Sequence, residues 1–465
     1  MADAAPEAAG AVRTATRPWP DLVGSAENGA RRDAPSRPGR ASVAVMPWDF
    51  SADPDFEREI AWMTAFVKEE ILPLETLDLD FASYHRLTAP LRQEVKDRGL
   101  WAAFLGPELG GAGFGQVKLA LMHEVLGATE LAPPVFGSQA PDSGNIELLA
   151  LAGTPAQRER WLTPLLAGEA FSAFSMTEQG TGSDPTQFTT SAVRDGDDWL
   201  ITGQKFYVSA TSRADVHVVM AVTDPDADRR ARATLFLVPS DTPGIELRAI
   251  GSMNDPVAGS SPIHSQSEVV YDGVRVPADA ILGEPGGAFA LAQRRLGPGR
   301  IHHCMRWVGV CRRAFDALCE RAVSISVHGG RLADKQMVQT WIAESAAAIE
   351  AFRLLTLQAA WKVDTQGVKA SLTDIAMIKY AGAPVMHDVI DRAIQIHGSL
   401  GYSTDLPLEG MYRWARASRI YDGPDEVHKV TVARRIMKAY EPTPVPSEHV
   451  PTRRAAAVAR HCAGA

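Results

Sequence analysis

The sequence is poor in several features that would each indicate a particular class of protein. It has only 4 cysteines in 465 residues and no CxxC pair, so neither a disulfide framework nor a zinc site is indicated. No run reaches the roughly 18 unbroken apolar residues of a membrane-spanning helix. The formal net charge of -9 gives no long-range attraction for polyanions. We therefore expect no membrane span and no nucleic-acid partner.

The composition is that of a soluble globular protein, with 45% hydrophobic and 22% charged residues. The chain is longer than a single hydrophobic core usually needs, which predicts two or three subdomains. Cys304, Cys311 and Cys319 recur at helical spacing, which predicts packed, reduced thiols and a cytoplasmic protein.

The period of the apolar residues divides the chain into three parts between two tails. Residues 1–45 are rich in Ala, Pro, Arg and Gly, lack the apolar core of a secretory signal, and are predicted to be a disordered extension. Helical spacing over 46–168 predicts an N-terminal helical domain. Short alternating runs over 169–285 predict an antiparallel β-barrel or sandwich. Helical spacing over 286–440 predicts a four-helix bundle, and 441–465 a flexible tail. The predicted class is α+β, mainly α.

Two glycine-rich stretches are candidate ligand loops. The first, "ELGGAGFGQ", lacks the GxGxxG spacing and a preceding strand, so it indicates a loop between helices. The second, "FSAFSMTEQGTGSDP", leads into the β domain. Backbone N–H groups at Gly180 and Gly182, with hydroxyls at Thr177 and Ser183, could hold a heterocycle or a phosphate there. For that stretch taken alone, an ordinary Gly-Ser-Asp loop is the favoured interpretation.

Three further motifs carry polar or aromatic residues at positions where chemistry is possible. In "GQKFYVSA" the aromatic residues lie on a strand, where they usually belong to the core. In "RRLGPGRIHHCMR" the adjacent His302 and His303 point in different directions on a helix, so a metal site is not indicated. Arg300 is better placed to contact an anion or a carbonyl. The stretch "RIYDGPDEVHK" groups Asp422 with two further carboxylates.

Taken in order, "AFSMTEQGTGSD", "GQKFYVS", "QIHGSLGYS" and "RIYDGPDEVHK" resemble the FAD-dependent acyl-CoA dehydrogenases, over about residues 50–440. Three stretches, "APDSGNIELLALAGTP", "LGPGRIHHCMR" and "YDGPDEVH", are similar to the sequences of the branch whose catalytic base is an aspartate. That branch includes the dehydrogenase part of a eukaryotic kinase-dehydrogenase fusion, and this sequence contains no kinase domain.

The resemblance implies a role for individual residues. Asp422 matches the catalytic base, and Ser183, Arg300 and Gly423 match substrate contacts. Residues that match the FAD site are Phe174, Met176, Thr177, Ser183, Tyr207, Val208, Ser209, Gln395, Gly398, Ser399, Pro424 and Glu426. In the family the segment at 395–399 usually serves the FAD of a neighbouring subunit, which implies a homodimer or homotetramer.

The implied reaction is α,β-dehydrogenation of an acyl-CoA. Asp422 would take the proton α to the thioester while a hydride leaves the β carbon for flavin N5, and the electrons would pass to an electron-transfer flavoprotein. By resemblance, the Asp422 N–H and a flavin ribityl hydroxyl stabilise the enolate oxygen. A desolvated site against a stacked acyl chain would raise the pKa of Asp422 and make it a better base.

The neighbours of Asp422 also have a purely structural interpretation. Gly423 allows close approach of the backbone, and Pro424 can begin a helix. Asp425 and Glu426 would then be favourable charges in its first turn. Asp422 itself could be an ordinary turn residue before glycine.

One departure from the family concerns the FAD diphosphate. Where the family usually has an arginine, this sequence has Ile325 in "SISVHGGRLADKQ", and Arg331 is a candidate replacement six residues later. His328 and Gly330 stand where the family has Phe and Lys. Loss of this cation keeps two alternatives open: other flavin chemistry on the same fold, such as that of a nitroalkane oxidase, or a flavin-poor interaction protein.

Overall fold

The computed structural model describes residues 50, 52–259, 261–442 and 454–462. The predicted N-terminal extension, residues 1–45, lies outside these described residues. So does most of the predicted C-terminal tail, although a short helix forms at Arg454–His461 within it. Among the described residues, no helix is long and apolar enough to cross a membrane.

The N-terminal part is helical, as its apolar spacing predicts. Asp53 caps the first helix by accepting a hydrogen bond from the Phe56 N–H at 2.9 Å. The glycine-rich stretch at 108–116 is a loop between helices, which confirms its interpretation as a connection. The helices are α1 Pro54–Phe66, α2 Phe81–Leu87, α3 Ala89–Asp97, α4 Gln116–Leu126, α5 Ala132–Val135, α6 Asp142–Ala152, α7 Pro155–Gln157 and α8 Thr163–Ala167. A π-helical segment, Val67–Ile71, continues α1.

The middle part is a β domain with one large sheet in the order β6-β7-β3-β2-β4-β5-β8, in which β1 also pairs with β4. The strands are β1 Ser172–Ser175, β2 Ser191–Asp195, β3 Asp198–Ser209, β4 Val216–Val222, β5 Ala233–Pro239, β6 Ile245–Ile250, β7 Gln266–Pro277 and β8 Ile281–Leu282.

Most strand pairs are antiparallel, as predicted, but the sheet is mixed, because β4 pairs in parallel with β1 and, at one position, with β2. The β2–β3 hairpin lies between β1 and β4 in the chain, so a crossover connection joins that pair and permits parallel pairing. All seven residues of β4 are buried, as expected for a central strand covered on both faces.

The C-terminal part is a helical bundle of three long helices and two shorter ones. The helices are α9 Ala288–Ser324, α10 Gln336–Gln366, α11 Leu372–His397, α12 Leu408–Ala417 and α13 Asp425–Met437, with α14 Arg454–His461 after them. A two-residue hairpin, β9 Ser326–Val327 and β10 Gly330–Arg331, joins α9 to α10. Cys304 and Cys311 are buried on α9, and all four cysteines are free thiols. The helical, β and helical order predicted from the sequence is confirmed.

Candidate active site

The main-chain carbonyl of Asp422 accepts two hydrogen bonds from side chains on two different helices. Arg300 on α9 donates from Nε at 3.0 Å, and His428 on α13 approaches with Nε2 at 3.1 Å. Because a carbonyl oxygen can only accept, the Nε2 atom of His428 carries the hydrogen. Asp422 has a φ of 53°, in the left-handed region that few non-glycine residues adopt. The two donors therefore hold Asp422 in an unusual backbone conformation.

Gly423 is required at its position for two reasons. Its φ is 98°, and a Cβ atom there would lie 2.9 Å from Nε2 of His428. The next residue, Pro424, precedes α13, which confirms that the helix starts here. Asp425, however, does more than supply first-turn charge. It is buried and accepts a hydrogen bond from Nε of Arg419 at 2.8 Å.

The Asp422 carboxylate lies beside His303, a histidine that the sequence did not indicate as its partner. Its Oδ2 atom is 3.3 Å from Nε2 of His303. Burial lowers the pKa of His303 to about 3. The imidazole is therefore neutral at pH 7, and the contact is not an ion pair.

The pKa of Asp422 is lowered from its ordinary value of 3.8. Burial has the largest influence and raises the pKa, but nearby positive charge outweighs it. The groups that lower it are His303, Arg300, Arg295 and Lys379. Because His303 is neutral at pH 7, the two arginines and the lysine carry the effect there. The protein alone thus keeps Asp422 ionised, and a rise on binding an acyl chain stays a prediction.

Lys379 is one of these cations and is completely buried on α11. Its Nζ atom donates to the carbonyl of Ser418 at 2.5 Å and lies 5.2 Å and 5.0 Å from the ring centroids of Trp307 and Tyr421. The Tyr421 hydroxyl accepts a hydrogen bond from Nε1 of Trp307 at 3.0 Å. The residue before Asp422 is therefore anchored in the bundle core.

The structure brings together the two β-domain segments that the sequence associates with the flavin. The Phe206 N–H donates to the carbonyl of Thr177 at 2.8 Å. Beneath them, Nζ of Lys205 is 2.9 Å from Oε1 of Glu178 and 2.8 Å from the carbonyl of Met176. Both charged side chains of this pair are buried. The pair fixes the loop after β1 against the end of β3.

The flavin candidates on this surface differ in exposure. Val208 is buried, whereas the side chains of Thr177 and Ser209 are exposed. Tyr207 is 55% exposed and has a φ of 55°. Tyr207, Thr177 and Ser209 thus offer an exposed aromatic ring and two exposed hydroxyls, which are groups that a planar, polar heterocycle can contact. These residues fit the isoalloxazine ring of FAD.

The remaining FAD candidates lie on other surfaces. Ser183 is exposed in the loop after β1, and Glu426 is exposed in the first turn of α13. Gln395, Gly398 and Ser399 are exposed at the end of α11. Among the described residues, none of the last three makes a hydrogen bond or ion pair with the groups around Asp422.

The segment that departs from the family, residues 325–331, makes no hydrogen bond or ion pair with the groups around Asp422 among the described residues. Ile325 ends α9 and is followed by the β9–β10 hairpin. Arg331, the candidate replacement cation, is paired with Asp334 at 3.2 Å in an exposed contact. Its guanidinium therefore already has an acidic partner.

The sequence did not indicate Arg295, His303 or Lys379 as members of the site. For two of them, the sequence contains a feature that could have indicated a role in the site. Arg295 shares a motif with Arg300, and Lys379 is a lone charge in the apolar run "IAMIKYAGAPV". No group of three or more His, Cys, Asp or Glu side chains in the described part of the chain could hold a metal ion.

Three family models match this chain in order. Those described as the acyl-CoA dehydrogenase N-terminal, middle and C-terminal domains match residues 57–169, 173–267 and 286–437. The chain belongs to the acyl-CoA dehydrogenase family. The family, its flavoprotein oxidoreductase class and its cofactor, FAD, are thus as the sequence predicted.

Individual relatives support the same assignment. The chain is 42% identical over 387 residues to "Probable acyl-CoA dehydrogenase FadE2" of Mycobacterium tuberculosis, covering 80% of this chain and 93% of that protein. It is 40% identical to acyl-CoA dehydrogenase family member 11 of Rattus norvegicus, covering 79% of this chain but 48% of that longer protein. The structure of butyryl-CoA dehydrogenase from Megasphaera elsdenii matches with a TM-score of 0.71 at 25% identity, covering 84% of this chain and 100% of that one.

Proposed function

We propose that this protein catalyses α,β-dehydrogenation of an acyl-CoA, with Asp422 as the base that removes the α proton. The observation that carries the proposal is the state of Asp422. Its carboxylate is ionised, and its backbone is held by Arg300 and His428. A base fixed in position and charge is what proton abstraction from a weakly acidic carbon requires.

The main-chain N–H of Asp422 supports a second role for the same residue. This N–H has no hydrogen-bond partner among the described residues, although the carbonyl of the same residue has two. It is free to donate to the thioester oxygen as enolate charge develops. Gly423, which has no side chain, leaves room for the substrate to approach this N–H.

The β domain and the bundle would together hold FAD, which when bound supplies the acceptor for the hydride leaving the β carbon. Phe174, Met176 and Thr177 would contact the ring from one segment, and Tyr207, Val208 and Ser209 from the other. We assign the rest of the cofactor and its junction with the substrate to Ser183, Gln395, Gly398, Ser399, Pro424 and Glu426. In this assignment, residues 395–399 serve the FAD of a second subunit.

Three further properties belong to the same proposal. Electrons leave through an electron-transfer flavoprotein, the protein is a homodimer or homotetramer, and it acts in the cytoplasm. The assignment of the chain to the branch with an aspartate base rests on the motif around Asp422.

An anaerobic titration of the purified protein with acyl-CoAs of increasing length, read by flavin absorbance, tests the function. We expect bleaching by at least one thioester, and a rate of bleaching about 10²- to 10⁴-fold lower in Asp422→Asn. Asp405→Asn, at an exposed loop position, is the matched control and should bleach normally.

Three results would reject the proposal. Unchanged bleaching in Asp422→Asn rejects this residue as the base. Hydrogen peroxide release with a nitroalkane, without any response to acyl-CoA, would identify the alternative flavin chemistry. Protein that takes up no flavin even after addition of FAD would be a non-catalytic member of the family.

A further inference from the structure

Arg295 is a cationic side chain near the base whose partner is not supplied by the described part of the protein. It lies on α9, five residues before Arg300, and is half-buried. Its Nε atom is shielded from solvent and has no hydrogen-bond partner among the residues that the structure describes. The guanidinium also forms no ion pair with any described residue.

Three parts of the fold meet at this side chain. Its guanidinium carbon is 4.2 Å from the ring centroid of Phe174, a β1 residue that we assign to the flavin site. Arg295 also packs against Gly144 of α6, where a Cβ atom would lie 2.4 Å from Nε of Arg295. The missing side chain at Gly144 is thus what makes room for the guanidinium. This position is a junction between the N-terminal helices, the β domain and the bundle.

Three carboxyl groups act on Arg295 electrostatically without pairing with it. Burial lowers the pKa of Arg295, and Asp422, Glu147 and Asp142 oppose that change. Burial raises the pKa of Glu147 to about 7, so this group is only partly ionised at neutral pH. Asp142 is engaged elsewhere, since its Oδ1 atom accepts from the N–H and the hydroxyl of Ser172 at 2.6 Å and 2.7 Å.

A guanidinium whose shielded Nε lacks a hydrogen-bond acceptor among the described residues is unfavourable, because desolvation of a polar N–H is offset only by a hydrogen bond. Its planar set of N–H donors matches the two oxygens of a carboxylate. The three nearby acids keep Arg295 protonated, but they do not occupy its donors. The structure therefore leaves this site available to an anionic group from outside the chain.

We propose that Arg295 binds a carboxylate on the acyl chain of the substrate, so that the protein selects acyl-CoAs of dicarboxylic acids over uncharged ones of equal length. This inference rests on the proposed dehydrogenation and adds the class of acyl chain. Asp422 remains the base, and Arg295 acts as a specificity-determining residue.

The test compares matched pairs of thioesters, mono- and dicarboxylic, at each chain length from about four to eight carbons. The rate of anaerobic flavin reduction gives kcat/KM for each pair, and binding to the oxidised holoenzyme is measured by calorimetry. In the natural protein we expect the dicarboxylic thioester to be preferred at one chain length. Arg295→Met should reduce kcat/KM for that thioester about tenfold to hundredfold more than for its uncharged partner. Loss of a cation near Asp422 affects both thioesters alike and cancels in this ratio.

Two variants complete the design. Arg294→Met removes an adjacent but exposed arginine of the same helix and should change neither member of a pair. If Arg295→Met does not fold with bound flavin, Gly144→Ala provides the second route. Its new methyl group must displace the guanidinium, and the preference for the dicarboxylic thioester should fall in the same way.

Equal losses for both thioesters in Arg295→Met would show that Arg295 acts on a feature common to both, such as Asp422 or the CoA part, and would overturn the proposal. A natural protein that is bleached faster by every uncharged thioester would also overturn it, while leaving the dehydrogenase function intact. Absence of bleaching by any thioester would reject the proposed function itself, and this inference with it.

Discussion

Arg300 on α9 donates a hydrogen bond from Nε to the main-chain carbonyl of Asp422, 3.0 Å away. The arginine therefore acts on the backbone of the candidate base and does not pair with its carboxylate among the described contacts. A charge-assisted hydrogen bond of this kind is stronger than one between neutral groups. It ties the position of the base to a helix that begins more than a hundred residues earlier in the chain.

Removing this donor should impair the chemistry and spare the cofactor. We expect Arg300→Met to slow flavin reduction by an acyl-CoA about tenfold to hundredfold, because Asp422 loses one of two groups that hold its carbonyl. Rapid-mixing absorbance measurements on protein with full flavin content would show this. The exposed Arg294→Met variant is the control. An unchanged rate constant in Arg300→Met would contradict a positioning role.

Gly423→Ala should impair both the stability of the bundle and the chemistry. The residue has a φ of 98°, and the added Cβ would lie 2.9 Å from Nε2 of His428. We expect a loss of about 1 to 3 kcal/mol in the free energy of unfolding, together with loss of flavin reduction. Gly410→Ala is the matched control, since Gly410 lies in α12 with open space around it. That helical variant should be as stable as the natural protein or slightly more stable.

The Glu178–Lys205 pair should make the β domain sensitive to acid. The pKa of Glu178 is lowered to about 2 because Lys205 and hydrogen bonds from Thr189 and Thr190 outweigh the rise caused by burial. The pair's stabilisation is therefore complete above the ordinary pKa of 4.5 and is lost as the pH falls from there toward 2. Burial lowers the pKa of Lys205 to about 8, so both groups remain charged at pH 7.

Glu178→Gln should consequently destabilise the protein by about 3 to 5 kcal/mol at pH 7, since it leaves the buried Lys205 without its counter-charge. The variant should also lose less stability than the natural protein between pH 5 and 3. Thermal melts across that range measure both effects. Glu246→Gln removes an exposed partner of Arg248 and should leave the melting temperature almost unchanged. Parallel acid curves for Glu178→Gln and the natural protein would refute the assignment.

Ile325→Arg should strengthen FAD binding if the family's diphosphate contact lies where the sequence comparison places it. A new charge-assisted contact corresponds to about a tenfold to hundredfold lower Kd. Quenching of flavin fluorescence on titration of apoprotein gives the affinity directly. Arg331→Met should leave it unchanged, because Arg331 is already paired with Asp334. If Arg331→Met loses FAD instead, Arg331 is the replacement cation.

The order of the helical and β parts could be predicted because apolar periodicity is a local property of the sequence. Asp422 could be singled out because its motif is contiguous. His303 and Lys379 could not be assigned as its neighbours, since their proximity depends on how α9, α11 and the turn before α13 pack. Asp425 illustrates the same limit. Its position predicts a first-turn charge, but only the packed bundle shows that it is buried against Arg419.

The main-chain carbonyl of Asp422 accepts two hydrogen bonds, so catalysis depends on the packing of the bundle helices that supply the donors. The two donors come from α9 and α13, so a separation of these helices by about one ångström would break at least one bond. Such loosening requires far less disruption than unfolding. On heating, turnover should therefore stop several degrees before circular dichroism detects loss of helix, and it should return on cooling.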